Sequence, residues 1–139
     1  MSLSTSVNPL LATAVMAATC LSCSYWPPPL RIKAMKDAVR IDVQNLGEYF
    51  SVVSRVRVSR TDSHVIIWDL HLKSGSSQVW TFDLKAGENP VQPEGIYGMF
   101  EAVAPQGKKT FSLERGVRYS IEVSGNGNWR SRGYFEITP

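Results

Sequence analysis

The residues able to do chemistry are few and scattered. The sequence holds two histidines, His64 and His71, and two cysteines, Cys20 and Cys23. Catalysis needs acid, base or nucleophilic groups that converge. Asp69 and His71 fall on one face of an alternating segment and can pair. That pair offers two metal ligands and no third, and an ordinary surface pair is the plainer reading. His64 lies seven residues before His71, which puts it on the opposite face if one strand carries both. Glu94 and Glu101 sit in an irregular stretch. Two carboxylates across a cleft are the machinery of glycoside hydrolysis, but there is little chain here to build a sugar groove. No HExxH, GxSxG or P-loop pattern occurs. The expectation is therefore a protein without catalytic residue, metal or cofactor, which works by binding.

The cysteines belong to a different kind of signal. Residues 1–30 carry no acidic or basic side chain and no histidine. Within them, residues 9–22 read PLLATAVMAATCLS, an apolar run shorter than the about 20 residues that span a bilayer. The run suits the core of a secretory signal peptide, although MSLSTSVN before it lacks Lys and Arg. A buried N-terminal helix is the alternative, which the prolines at 27–29 would cut off from the rest. Cys20 and Cys23 close the run. A CxxC pair alone cannot complete a zinc site. The expected division is a signal segment over 1–24, a proline-rich spacer over 25–37 and one domain over 38–139. Tyr25-Trp26-Pro27-Pro28-Pro29 favours extended polyproline II, a semi-rigid tether.

From residue 38 the pattern has period two. Val39, Ile41 and Val43 alternate with Arg40, Asp42 and Gln44. Similar alternation runs through Val56 and Val58, through Ile66, Trp68, Leu70 and Leu72, and through Trp80, Phe82 and Leu84. It returns in Val117, Tyr119, Ile121 and Val123, and in Phe135 and Ile137. Strict alternation means half-buried strands. Turn residues separate them at Asn45–Gly47, Thr61–Ser63, Ser74–Ser76, Gly87–Pro93, Pro105–Gly107, Gly116 and Gly125–Asn128. Seven to eight short strands at this rhythm predict an all-β sandwich or barrel. The segment 86–107, with three prolines, predicts an edge strand near 96–103 with long flanks.

This framework assigns the candidate binding residues. Trp129 follows the Asn-Gly hairpin turn and either anchors a partner or covers the open end of the domain. Tyr97 and Tyr134 fall at outward or edge positions, where a flat ring can stack on a sugar or a protein. Arg55 and Arg57 share an outward face, either simply solvated or able to touch anionic groups. The 15 basic and 12 acidic residues from Arg31 onward are interspersed. A nucleic-acid binder carries a clustered basic stripe, so no nucleic-acid partner is expected.

The stretch Leu113-Glu-Arg-Gly116-Val-Arg-Tyr119-Ser-Ile121-Glu-Val123 resembles the E–F turn and F strand of immunoglobulin-like and fibronectin-type domains. The resemblance covers about residues 38–138. It implies a tyrosine corner at Tyr119, a core tryptophan at Trp68, and Val56 and Ile121 where two bridging cysteines would stand. The cysteines at 20 and 23 resemble the lipobox of bacterial lipoproteins, Cys23 fitting slightly better. The whole outline is similar to small exported lipoproteins of Gram-negative bacteria. That likeness implies a periplasm-facing outer-membrane location if the protein is lipidated, and a periplasmic or secreted one otherwise. The membrane would be met only through the lipid. The expected function is contact with a protein or an envelope polymer. A carbohydrate-binding module and a structural lipoprotein of a secretion apparatus are the alternatives.

Overall fold

The computed structural model describes residues 30–43, 52–125 and 129–139. The expected signal segment, Cys20, Cys23 and the expected turn at Asn45–Gly47 lie outside them. The described residues form ten strands and no helix: β1 (Arg31–Ala34), β2 (Ala38–Asp42), β3 (Val53–Arg60), β4 (Ile66–Val79), β5 (Thr81–Lys85), β6 (Gly87–Pro90), β7 (Ile96–Ala104), β8 (Thr110–Leu113), β9 (Arg118–Gly125) and β10 (Arg130–Glu136). All pair antiparallel. One sheet has the order β1-β2-β5, a second the order β10-β9-β3-β4-β7, and β6 pairs with β8 as a ribbon.

The alternation in the sequence explains the layering. Val39 and Ile41 of β2 and Phe82 and Leu84 of β5 turn inward from the three-stranded sheet. Val56, Val58, Trp68, Leu70, Tyr119, Ile121, Val123 and Phe135 turn inward from the five-stranded one. All join one buried cluster, so the arrangement is sandwich-like. Each such side chain contributes about 1.5–3 kcal/mol by leaving water.

Trp68 and Tyr119 stand at the centre, as their spacing predicts. The Trp68 indole stacks on Phe111 of β8 at 4.9 Å and meets Phe82 edge-on at 6.1 Å. Its Nε1–H donates to the Val91 carbonyl at 2.7 Å, so the polar end of the ring is satisfied. The Tyr119 ring lies on Phe135 at 5.4 Å, and its phenol oxygen accepts the Glu114 N–H at 2.9 Å.

Four expectations need correction. The first strand begins at Arg31, inside the stretch read as spacer; it pairs with β2 from Arg31↔Asp42 to Ala34↔Val39. Four residues are too few for periodicity to reveal. The strands of the described residues number ten, because β1 and the β6–β8 ribbon join those that alternation marks. Ser74-Gly75-Ser76 does not end a strand: β4 runs through it, with register shifts against β7 that absorb the irregularity. Finally, Val56 and Ile121 lie on neighbouring strands of one sheet, where Val56 faces Val123 and Val58 faces Ile121. They are buried, but they cannot replace a pair that bridges two sheets.

The segment 86–107 holds more order than its prolines suggest. Asn89 is buried and staples the turn after β5: its Oδ1 accepts the Lys85 N–H at 2.8 Å, and its Nδ2 donates to the Lys85 and Gly87 carbonyls. β7 is the edge strand expected near 96–103, paired among the described residues on one side only, with β4.

A candidate binding cleft

A cleft opens where the chain leaves one sheet for the other. β4 ends at Val79 and β5 begins at Thr81, so Trp80 is the residue between them. Its backbone is pinned on both sides. The Trp80 N–H donates to Gly95 O at 2.9 Å, and its carbonyl accepts the Val43 N–H at 3.3 Å. The side chain is 44% exposed. Alternation with Phe82 and Leu84 places it in the core. That periodicity fails because the chain crosses between layers at this residue. Trp80 is thus a functional candidate that periodicity hid.

Tyr97 lines the same cleft and is 51% exposed. Its neighbour Ile96 is buried, which fixes the start of β7 and turns Tyr97 outward. Gly95 makes the close approach possible. Its φ is +99°, and a Cβ there would collide with the Thr81 carbonyl oxygen. The cleft has a volume of about 650 Å³, and its polar groups include Arg40, Asp83 and Glu94. Arg40 and Asp83 are cross-strand partners on the outer face of β2 and β5. They form a two-bond fork at 2.8 and 3.0 Å. The Arg40 hydrogen bonds hold the Asp83 carboxyl below its ordinary range, against a smaller opposing effect of burial. The cleft therefore offers two flat apolar faces beside a fixed cation–anion pair and a carboxylate. Such a surface can stack on rings and hydrogen-bond their substituents.

The other candidates fall elsewhere. Arg55 and Arg57 do share the outward face of β3, but each is engaged. Arg55 forks onto Asp69 at 2.9 and 2.7 Å, and Arg57 reaches Glu122 at 3.2 Å. Asp69 is 2% exposed, and His71 Nε2 lies 3.0 Å from its Oδ1. Asp69 and His71 are therefore neighbours, as expected, but Nε2 makes no hydrogen bond there, and the carboxylate's hydrogen-bonded partner is Arg55. Among the described residues no group of three or more His, Cys, Asp and Glu could hold a metal. His64 is in the turn before β4, not on the strand with His71, so strand parity does not apply to it. Glu94 lines the cleft, whereas Glu101 faces His71 across β7 and β4, so the two carboxylates do not flank one groove.

Trp129 is half-buried and packs against the core. Its ring lies so close to Gly125 that a Cβ there would strike it. Tyr134 is 51% exposed, opposite Ser120, with the Arg118 guanidinium 5.3 Å from its ring centre.

No protein-family model, curated protein or solved structure matches this chain. Among the described residues, no helix is long and apolar enough to cross a membrane.

Proposed function

We propose that this is a non-enzymatic, exported β-sandwich protein of immunoglobulin-like build that binds an envelope polymer through the Trp80–Tyr97 cleft. One observation carries the reading. Two large aromatic side chains, one from the crossing between β4 and β5 and one from β7, each about half exposed, line one cleft that also holds fixed polar groups. A glycan strand suits such a surface, since sugar rings present apolar faces and equatorial hydroxyls together. The charge-free apolar start supports export. Cys20 or Cys23 is the anchoring residue if the leader is that of a lipoprotein. The Tyr119–Glu114 bond supports the immunoglobulin-like comparison.

A protein partner is the second reading, and it rests on β7. This nine-residue strand exposes Tyr97, Met99 and Val103 and, among the described residues, pairs on one side only. Such an edge can accept a strand from another chain. A structural role in a secretion apparatus belongs with this second reading.

Co-sedimentation with peptidoglycan sacculi and titration with soluble glycan fragments test the first reading. Trp80→Ala and Tyr97→Ala should each weaken binding by about three- to tenfold, while Tyr134→Ala should leave it unchanged. Equal binding by all three variants, or none by the wild type, would leave the polymer reading without support. The intact mass of protein recovered from membranes tests export separately, by showing the first mature residue and any acyl chains.

A further inference from the structure

A second depression lies on the outer face of the five-stranded sheet, lined by none of the cleft residues. Its volume is about 250 Å³. Register explains how it forms. Ser59 of β3 faces Ser120 of β9, and one row along Arg57 faces Glu122. Arg132 of β10 faces Glu122 from the other side. His64 and Ile66 close the remaining side, from the turn before β4 and from its first residue. His64 has φ +58°. This left-handed conformation is uncommon for a residue with a Cβ and recurs at functional positions.

Glu122 is 7% exposed, and its two oxygens accept Arg57 Nη2 at 3.2 Å and Arg132 Nη2 at 2.8 Å. One buried carboxylate thus fixes two guanidiniums at the rim. Each keeps further N–H donors beyond the one given to Glu122. Two cations less one anion leave this group at +1. The hydroxyls of Ser59 and Ser120 and the imidazole of His64 have no hydrogen-bond partner among the described residues. Donors therefore converge from three strands and a turn on one small polar space, with Ile66 as the one apolar lining residue.

We infer that this depression binds the phosphoryl group of a phosphate ester. A tetrahedral oxyanion presents acceptor oxygens in several directions. It can take guanidinium N–H from one side and hydroxyl O–H from the floor. A planar carboxylate would use fewer of these donors. The space holds a phosphoryl group and the first carbons of its ester, and it lacks the aromatic surface a nucleobase would need.

The test is titration of the full protein with inorganic phosphate and with glycerol phosphate, followed by amide chemical shifts of β3, β9 and β10. Saturable shifts centred on Ser59, Ser120 and Glu122 are expected. Arg132→Gln should weaken binding by about tenfold or more, because a charge-assisted contact is lost. Ser59→Ala should weaken it by about threefold while leaving both ion pairs to Glu122 in place. Arg55→Gln, on the same face but outside the depression, should bind as the wild type does. Phosphatidic acid vesicles distinguish a lipid ester from a soluble one. Capture by them that Ser59→Ala weakens about threefold and Arg132→Gln about tenfold places the group on a lipid. Capture that survives both Ser59→Ala and Arg132→Gln reflects charge alone and overturns the inference. So does the absence of saturable shifts with both soluble ligands.

Discussion

The phenol of Tyr119 accepts the backbone N–H of Glu114 at 2.9 Å, while its ring lies buried against Phe135. That bond ties the end of β8 to the start of β9 through a side chain. Tyr119→Phe keeps the ring and removes the acceptor, so the Glu114 N–H loses its partner. The expected cost is about 1–3 kcal/mol, read as a shift in the urea midpoint at unchanged slope. A change below about 0.5 kcal/mol would mark the position as surface-like.

Trp68 combines a stacked ring, an edge-on ring and a satisfied indole N–H. Trp68→Ala should cost about 3–5 kcal/mol, as large-to-small core changes do. Trp80→Ala should cost far less, because its side chain is 44% exposed. Thermal unfolding of the two variants side by side separates the core tryptophan from the cleft tryptophan. Similar losses in both would contradict the placement of Trp80.

These two tryptophans also show how far the sequence can be read. Trp68 belongs to an alternating run inside one strand, and period two assigns the face of Trp68 and Leu70, but Ile66 of the same run is 41% exposed beyond the register shift in β3. Trp80 belongs to a run that looks identical, but the chain crosses between sheets there, and a crossing leaves no mark in alternation. For the same reason the candidate cleft was half legible. Tyr97 was found by parity at the edge, and its partner in the cleft was not. Burial of Val56 and Ile121 was legible, but their shared sheet was not, because periodicity gives the face of a strand and not its neighbours. The acids Asp69 and Glu122 show another limit. Both sit on an outward face by parity, yet arginines from adjacent strands cover them, and only the register reveals that.

Glu122 gives a pH prediction with a definite sign. Burial pushes its carboxyl up. The Arg132 hydrogen bond and the charges of Arg57, Arg130 and Arg132 outweigh this and hold it below the ordinary value. A group held low in the folded state contributes stability that is present above its unfolded-state value and lost as pH falls through its folded value. In Arg132→Gln the strongest opposing partner is gone, and burial pushes the carboxyl upward. Acid unfolding of this variant, followed by tryptophan fluorescence, should therefore begin at higher pH than in the wild type. Arg115→Gln, which instead loses an exposed pair to Asp37, should leave the acid limb where it is. An unchanged acid limb in Arg132→Gln would show that Glu122 does not depend on that guanidinium.

Gly95 links the fold to the cleft, and a comparison with Gly75 isolates what it does. Both have positive φ, +99° and +81°. A Cβ on Gly75 would meet nothing within 4 Å, so Gly75→Ala carries backbone strain alone, about 1–2 kcal/mol. A Cβ on Gly95 would collide with the Thr81 carbonyl oxygen and come within 3.3 Å of the Phe82 Cβ. Those atoms are the backbone of β5 and the stem of a buried ring, and neither can move aside freely. Gly95→Ala should therefore cost more than Gly75→Ala in thermal unfolding. It should also disturb amide shifts of Trp80, whose N–H donates to the Gly95 carbonyl. If the two alanine variants are equally stable and the Trp80 amide is unmoved, the close approach of β5 to the turn before β7 is not what shapes the cleft.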